Sequence, residues 1–187
     1  MQKKFISVCM LALLLPCAGN AEATDEHRAA RQAVQQFGAG CAIAQTTDAD
    51  GEPVYLWQHA FEDGAHDLAM ARTQQGSLLE IRRITFGGST QQGCHYPQLA
   101  IARGGDWGWH LAWTLAQVPP GKPALRYARM DGAAWVSSPA KRFGDAGAHD
   151  PALIVEGEKL TLRWLEAADA ERKTRTAVSD DAGRNWR

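Results

Sequence analysis

Three stretches of the chain share one hydrophobic rhythm. Val54-Tyr55-Leu56-Trp57, Trp109-His110-Leu111-Ala112-Trp113 and Leu160-Thr161-Leu162-Arg163-Trp164 are short, largely apolar runs that each end in tryptophan, and they recur about every 52 residues. Ahead of the last two stand His95-Tyr96-Pro97-Gln98-Leu99 and His149-Asp150-Pro151-Ala152-Leu153. A further run follows each tryptophan, around residues 68–72, 125–129 and 174–179. Beyond it comes a glycine and, three residues on, a large apolar side chain: Gly76 with Leu79, Gly132 with Trp135, Gly183 with Trp186. Each unit reads as four short strands joined by turns. In the middle copy these are residues 98–102, 109–114, 124–129 and 134–138. The breaks fall at Gly104-Gly105-Asp106, Val118-Pro119-Pro120-Gly121 and Asp131-Gly132, which are strong turn signals.

A four-stranded sheet of this size cannot cover both its faces, so it has to stack on a neighbour. The expected fold is therefore all-β: a partial β-propeller of about three antiparallel blades, at residues 39–88, 89–143 and 144–187. Residues 24–38 depart from the rhythm. Thr24 suits a cap, Asp25 and Glu26 a first turn, and Ala30, Val34 and Phe37 share one face, which predicts a short helix; an extended strand is the alternative. Before it, Lys3 and Lys4, an apolar stretch over residues 5–15 and the site Ala21-Glu22-Ala23 read as a signal peptide spanning residues 1–23. Processing at Cys17 as a lipoprotein competes, but Pro16 stands where a small residue belongs. The expected compartment is the periplasm or the exterior, with no membrane span.

Composition changes this picture little. The chain has 187 residues, with 20 Lys plus Arg against 21 Asp plus Glu. A formal net charge of −1 argues against a nucleic-acid partner held by bulk charge. The 7 Trp and 18 Gly fit aromatic anchors between tight turns. Cys9 and Cys17 leave with the signal peptide, so Cys41 and Cys94 remain, and in an exported protein such a pair points to a disulfide rather than a metal site or nucleophile. No metal and no cofactor is expected.

Ser179-Asp180-Asp181-Ala182-Gly183-Arg184-Asn185-Trp186 fits S-x-D-x-G-x-x-W and resembles the Asp-box repeat of the sialidase-like propellers. The turn chemistry is clear: Ser179 and Asp181 accept backbone N–H bonds, Gly183 takes a positive φ, and Trp186 packs back between sheets. The other two copies are degenerate, with Gln74 and Gly76 in the first and Asp131 and Gly132 in the second. The resemblance covers residues 40–186 and is architectural; in that family the Asp-box is a structural turn away from the ligand.

A sialidase also needs an arginine cluster, a tyrosine nucleophile with a glutamate, and an acid/base aspartate. The family's arginine motif near the first blade is absent. Arg72 and Arg129 occupy matching repeat positions, Tyr127 stands in a third strand away from the axis, and catalytic residues stay unassigned. The expected ligand-binding candidates are His95, Tyr96, His149 and Asp150, in loops leading into the innermost strands, each pair just before a strand-initiating proline; the plainer reading is that these histidines bond loop backbone. His59, Glu62, Asp63 and His66 read as a solvated hairpin.

The leading function is non-catalytic binding of a glycan or cell-envelope partner, with a glycoside hydrolase for sialic-acid-type sugars as the alternative. Propellers close with four to eight blades. Three units imply a piece of a longer propeller with a C-terminal extension, an open wedge, or two chains completing one ring, and apolar inter-blade surface would favour self-association over the lone wedge. Overlaying the repeats sets Cys41 near the position of Pro97, with Cys94 three residues ahead of it, so the expected disulfide joins the first two blades.

Overall fold

The computed structural model describes residues 28, 30–36, 38, 40–105, 108–116, 125–144, 147–168 and 171–187. The segment expected as a signal peptide, Thr24, Asp25, Glu26, Phe37, Asp106 and the expected turn at residues 118–121 lie outside the described residues. Helix α1 covers residues 30–36. All other regular structure is strand, in three antiparallel sheets, none of them closed.

The first sheet runs β1 (Ile43–Thr47), β2 (Pro53–Ala60) and β3 (His66–Gln74), with the short β4 (Ser77–Leu78) and β5 (Arg82–Arg83) both on β3. The second runs β6 (Leu99–Gly104), β7 (Gly108–Thr114) and β8 (Leu125–Asp131), with β9 (Val136–Ser137) and β10 (Lys141–Phe143) both on β8. The third is β11 (Ala148–Glu156), β12 (Lys159–Ala168) and β13 (Glu171–Ser179). Each sheet is a meander of sequential neighbours, and the three first strands lie side by side, β6 between β1 and β11.

Side-chain alternation along these strands builds a stack of layers. Val54, Leu56, Leu68 and Met70 of the first sheet meet Trp109, Leu111 and Trp113 of the second. Leu125 and Tyr127 of the second meet Leu160, Leu162 and Trp164 of the third. Ala30 and Val34 of α1 cover Tyr55, Trp57, Ala69 and Ala71 on the free face of the first sheet. The three rhythmic tryptophans all sit on second strands, and each faces the layer before it in the chain: α1, the first sheet, the second sheet. Beyond the third sheet lies a mixed face on which Ile154, Leu165 and Val178 alternate with Thr161, Arg163, Thr174 and Thr176; of these, Ile154 is the exposed large hydrophobic residue.

Two expectations about strand bounds change. The fourth strand of the middle unit, expected over residues 134–138, is two pieces. Trp135 adopts φ 52° at the turn, Ser138 Oγ takes the Arg129 amide at 2.9 Å, and Pro139 has no N–H for a ladder, so pairing breaks before resuming in β10. His149, Asp150 and Pro151 also lie within β11 rather than before it. The ladder to β12 shifts register between His149 and Ala152, Asp150 takes φ 51°, and this bulge accommodates the donor-less Pro151.

The Cys41–Cys94 disulfide is present, with Cα atoms 5.5 Å apart, and ties the segment before β1 to the segment before β6. It closes 53 residues of sequence, for which chain entropy gives roughly 4 kcal/mol as an upper figure. Cys41→Ser should lower the unfolding free energy by about 2–4 kcal/mol in urea titrations, and C41S/C94S together should cost no more than either alone; a loss below about 1 kcal/mol would mean the bond does not restrain the unfolded chain. At the other end of the stack, a Cβ on Gly183 (φ 78°) would come 1.9 Å from Tyr127 Oη, whereas one on Gly40 (φ 79°) meets nothing within 4 Å. Gly183→Ala should therefore cost about 3 kcal/mol or more and Gly40→Ala about 1. Equal thermal-melting losses in the two variants would show that close approach to Tyr127 is not what requires Gly183.

Candidate functional site

The site grows from one buried carboxylate. Asp67 stands on β3 among apolar neighbours and is fully buried. A charge there has to be matched, and six donors converge on it. Gly87 N (2.9 Å), Thr85 Oγ1 (2.8 Å) and Tyr96 Oη (3.0 Å) donate to Oδ1. Arg83 donates to Oδ2 through Nε (2.9 Å) and Nη2, and Gly88 N adds a longer bond at 3.3 Å. Burial by itself would raise the Asp67 pKa, but the bonds from Arg83, Thr85 and the glycine amides outweigh it and hold the group below the usual carboxylate range. Arg83 also reaches Asp63 Oδ2 at 2.7 Å, so Asp63 is engaged and not merely solvated.

Asp67 thereby fixes the segment after β5, which forms one wall of a cleft of about 490 Å³. The opposite walls come from the end of the second sheet where β7 finishes and β8 begins, and from the break between β9 and β10. Trp113, Tyr96 and Leu115 supply the floor, Arg126 and Ser137 the polar groups, and Phe86 the rim. Phe86 is 77% exposed, with the Arg83 guanidinium 5.4 Å from its ring centre. Among the described residues no Asp or Glu lines the cleft.

The sequence candidates divide. Tyr96 lines the cleft, yet its hydroxyl is consumed by Asp67; burial, with that charge beside it, pushes its pKa up to about 12. His95 is a loop brace: its N–H donates to Gln58 Oε1 (2.7 Å), its carbonyl accepts from Ala116, and its Nε2 is 2.7 Å from the Gln91 carbonyl. His149 likewise places Nδ1 2.8 Å from the Gly147 carbonyl. Both imidazoles bond loop backbone, as the plainer reading had it. Asp150 exchanges two bonds with Gln98, at 2.8 and 2.9 Å, joining the third sheet to the second. The four residues thus do not converge on one cavity.

The glycine turn after β13 has the geometry its residue types demand. Ser179 Oγ accepts from Gly183 N (2.8 Å), Asp181 Oδ1 accepts from Asn185 N (2.8 Å), and Gly183 has φ 78°. Trp186 packs edge-on to Tyr127 and Phe143, with centroids 4.7 and 4.9 Å away. Tyr127 itself is buried, its hydroxyl 2.7 Å from His110 Nδ1, and burial raises its pKa. Burial, with Arg129 nearby, lowers His110 to about 4, so that imidazole is neutral at physiological pH. Arg72 stacks on Trp135 at 4.8 Å. Among the described residues no group of three or more His, Cys, Asp or Glu is placed to hold a metal ion.

Sequence reading missed Asp67, Arg83, Thr85 and Arg126. One signal was present: a lone acid opening the apolar run Leu68-Ala69-Met70-Ala71 has to find partners.

Replacing Asp67 tests whether it holds this wall. Asp67→Asn should lose about 3 kcal/mol at neutral pH, since Arg83 then keeps only Asp63 as an acidic partner. Because the folded-state pKa lies below the unfolded value near 3.9, this stabilisation is complete above about pH 4 and disappears as pH falls through the folded value. The acid limb of the stability curve should therefore be shallower in D67N, and an unchanged limb would remove Asp67 from the account.

No protein-family model matches the chain, and no curated protein matches it.

Proposed function

We propose that the chain is an exported, propeller-type segment that binds a glycan or a cell-envelope partner without transforming it. The observation that carries this reading is the cleft: aromatic on its floor and rim, with one arginine and a serine, and without a carboxylate. Aromatic faces beside a few polar groups suit a sugar ring or a similarly amphipathic body. Hydrolysis of a glycoside needs carboxyl groups flanking the scissile bond, or a tyrosine nucleophile with acidic help. Asp67, which braces the cleft wall, is buried and accepts bonds from five residues, and Tyr127 is buried with Trp186 packed edge-on against it. The disulfide favours the oxidising compartment that a signal peptide implies. The stacked meanders with adjacent first strands favour the propeller reading.

Saturation-transfer NMR with a panel of neutral and acidic oligosaccharides tests the binding. Phe86→Ser should leave the melting temperature unchanged, because the ring is 77% exposed, and weaken binding about five- to tenfold. A fluorogenic sialoside should release no dye above the buffer rate. Turnover abolished by replacing one acidic residue would replace this reading with the hydrolase.

A further inference from the structure

Two arginines in the second sheet stand where their charges oppose each other. In the ladder between β8 and β10, Arg142 lies directly opposite Arg126. Residues paired this way project to the same face with Cβ atoms about 4.5–5.5 Å apart, and like charges so placed are destabilising. Their neighbours Leu125, Tyr127 and Phe143 point into the cluster shared with the third sheet. Alternation therefore turns both arginines toward the first sheet, and Arg126 lines the cleft there.

Neither arginine has a compensating acid. Arg82, Arg83, Arg175 and Arg187 each pair with a carboxylate, whereas among the described residues none pairs with Arg126 or Arg142. Arg126 is partly buried, and burial together with the Arg142 charge lowers its pKa. Across β7, Trp113 lies directly opposite Arg126, so Trp113, Arg126 and Arg142 form one cross-strand row. Arg126 and Trp113 of that row line the cleft, which brings an uncompensated cationic pair to the edge of its aromatic floor.

We propose that Arg126 and Arg142 form an oxyanion clamp that holds a sulfate or phosphate ester, with the ring to which the ester is attached lying against Trp113. A guanidinium takes two oxygens in its fork, so one carboxylate satisfies one arginine. A tetrahedral ester presents three terminal oxygens, enough to bridge two arginines. The bound anion removes the repulsion that the empty pair carries. This inference rests on the binding reading above and narrows it to acidic esters.

The test compares 4-methylumbelliferyl phosphate and sulfate with 4-methylumbelliferyl β-glucoside and β-glucuronide by calorimetric titration of the disulfide-intact protein. Both esters should bind at least tenfold tighter than the glucoside and the glucuronide. Arg126→Gln and Arg142→Gln should each lose that preference, and Arg142→Gln, which does not line the cleft, should change glucoside binding less than twofold. Without ligand, R142Q should melt about 1–2 °C above the parent, because it relieves the repulsion, and adding R126Q should give little more. Inorganic sulfate at the ester concentration separates the free anion from the ester: the ester should bind tighter through its ring. Equal binding of all four probes would overturn the clamp and leave the binding reading standing. Ester binding indifferent to both substitutions would overturn the clamp as well. No binding by any probe, with R142Q melting no higher than the parent, would overturn the clamp on both counts.

Discussion

The burial of Asp67 is the constraint from which the rest of the site follows. An ionised carboxylate in an apolar sheet is tolerated only when its lone pairs are filled, and here the donors come from β5, the segment after it, and the approach to β6. Satisfying one charge thus fixes three pieces of chain at once. Tyr96 is drawn from the second sheet's leading segment toward the first sheet, and the loop at residues 84–88 is bent back over β3. The nearby disulfide and Gln58 hold the same leading segment from the other side, Gln58 bonding Gly93 O and His95 N at 2.7 Å each. The cleft exists because these restraints keep the first sheet's loop and the second sheet's end apart while the sheets between them pack.

The layered stack explains how a small set of strands forms a core without closing a ring. The first and second sheets each offer two apolar faces and the third offers one, and each inner face has a partner. At one end α1 caps the first sheet, with Ala30 and Val34 covering Trp57 and Tyr55. At the other, the third sheet turns outward a mixed face in which Thr161, Arg163, Thr174 and Thr176 intersperse Ile154, Leu165 and Val178. The two ends solve the same problem differently, one by covering the face and the other by changing its composition. Either device keeps a stack of sheets in water without a large exposed apolar patch.

Where sequence reading succeeded, the physics was local or repeated. Trp57, Trp113 and Trp164 marked the second strands, because a buried, alternating run shows in the residues themselves. The turn from Ser179 to Trp186 was legible for the same reason: its bonds span two to four residues. The Cys41–Cys94 bond came from the repeat overlay, which set both cysteines ahead of inner strands. The Asp67 cluster was not legible, since its donors stand 16 to 29 residues away and nothing in the local sequence ties Thr85 or Tyr96 to it. Pro151 misled for a related reason. A proline usually marks a strand's start or edge, and β11 is an edge strand that also carries a bulge at Asp150, so Pro151 sits inside it.

The same distinction separates binding chemistry from hydrolytic chemistry in this cleft. A catalytic acid must be exposed to substrate and free to change protonation state, and a pKa near the working pH serves it best. Asp67 is the opposite on both counts: buried, and held ionised by donors whose loss would loosen the cleft wall. A group that builds the site so completely cannot also give up its proton in it. The arginines show the complementary case. Arg83 is spent on Asp63 and Asp67, whereas Arg126 and Arg142 are left unpaired by the register of β10 on β8, which resumes only after the break at Pro139. Under the clamp proposed above, the Arg126–Arg142 pair beside Trp113 would supply the charge an anion needs, whereas Asp63 and Asp67 are spent with Arg83 on bracing the cleft wall.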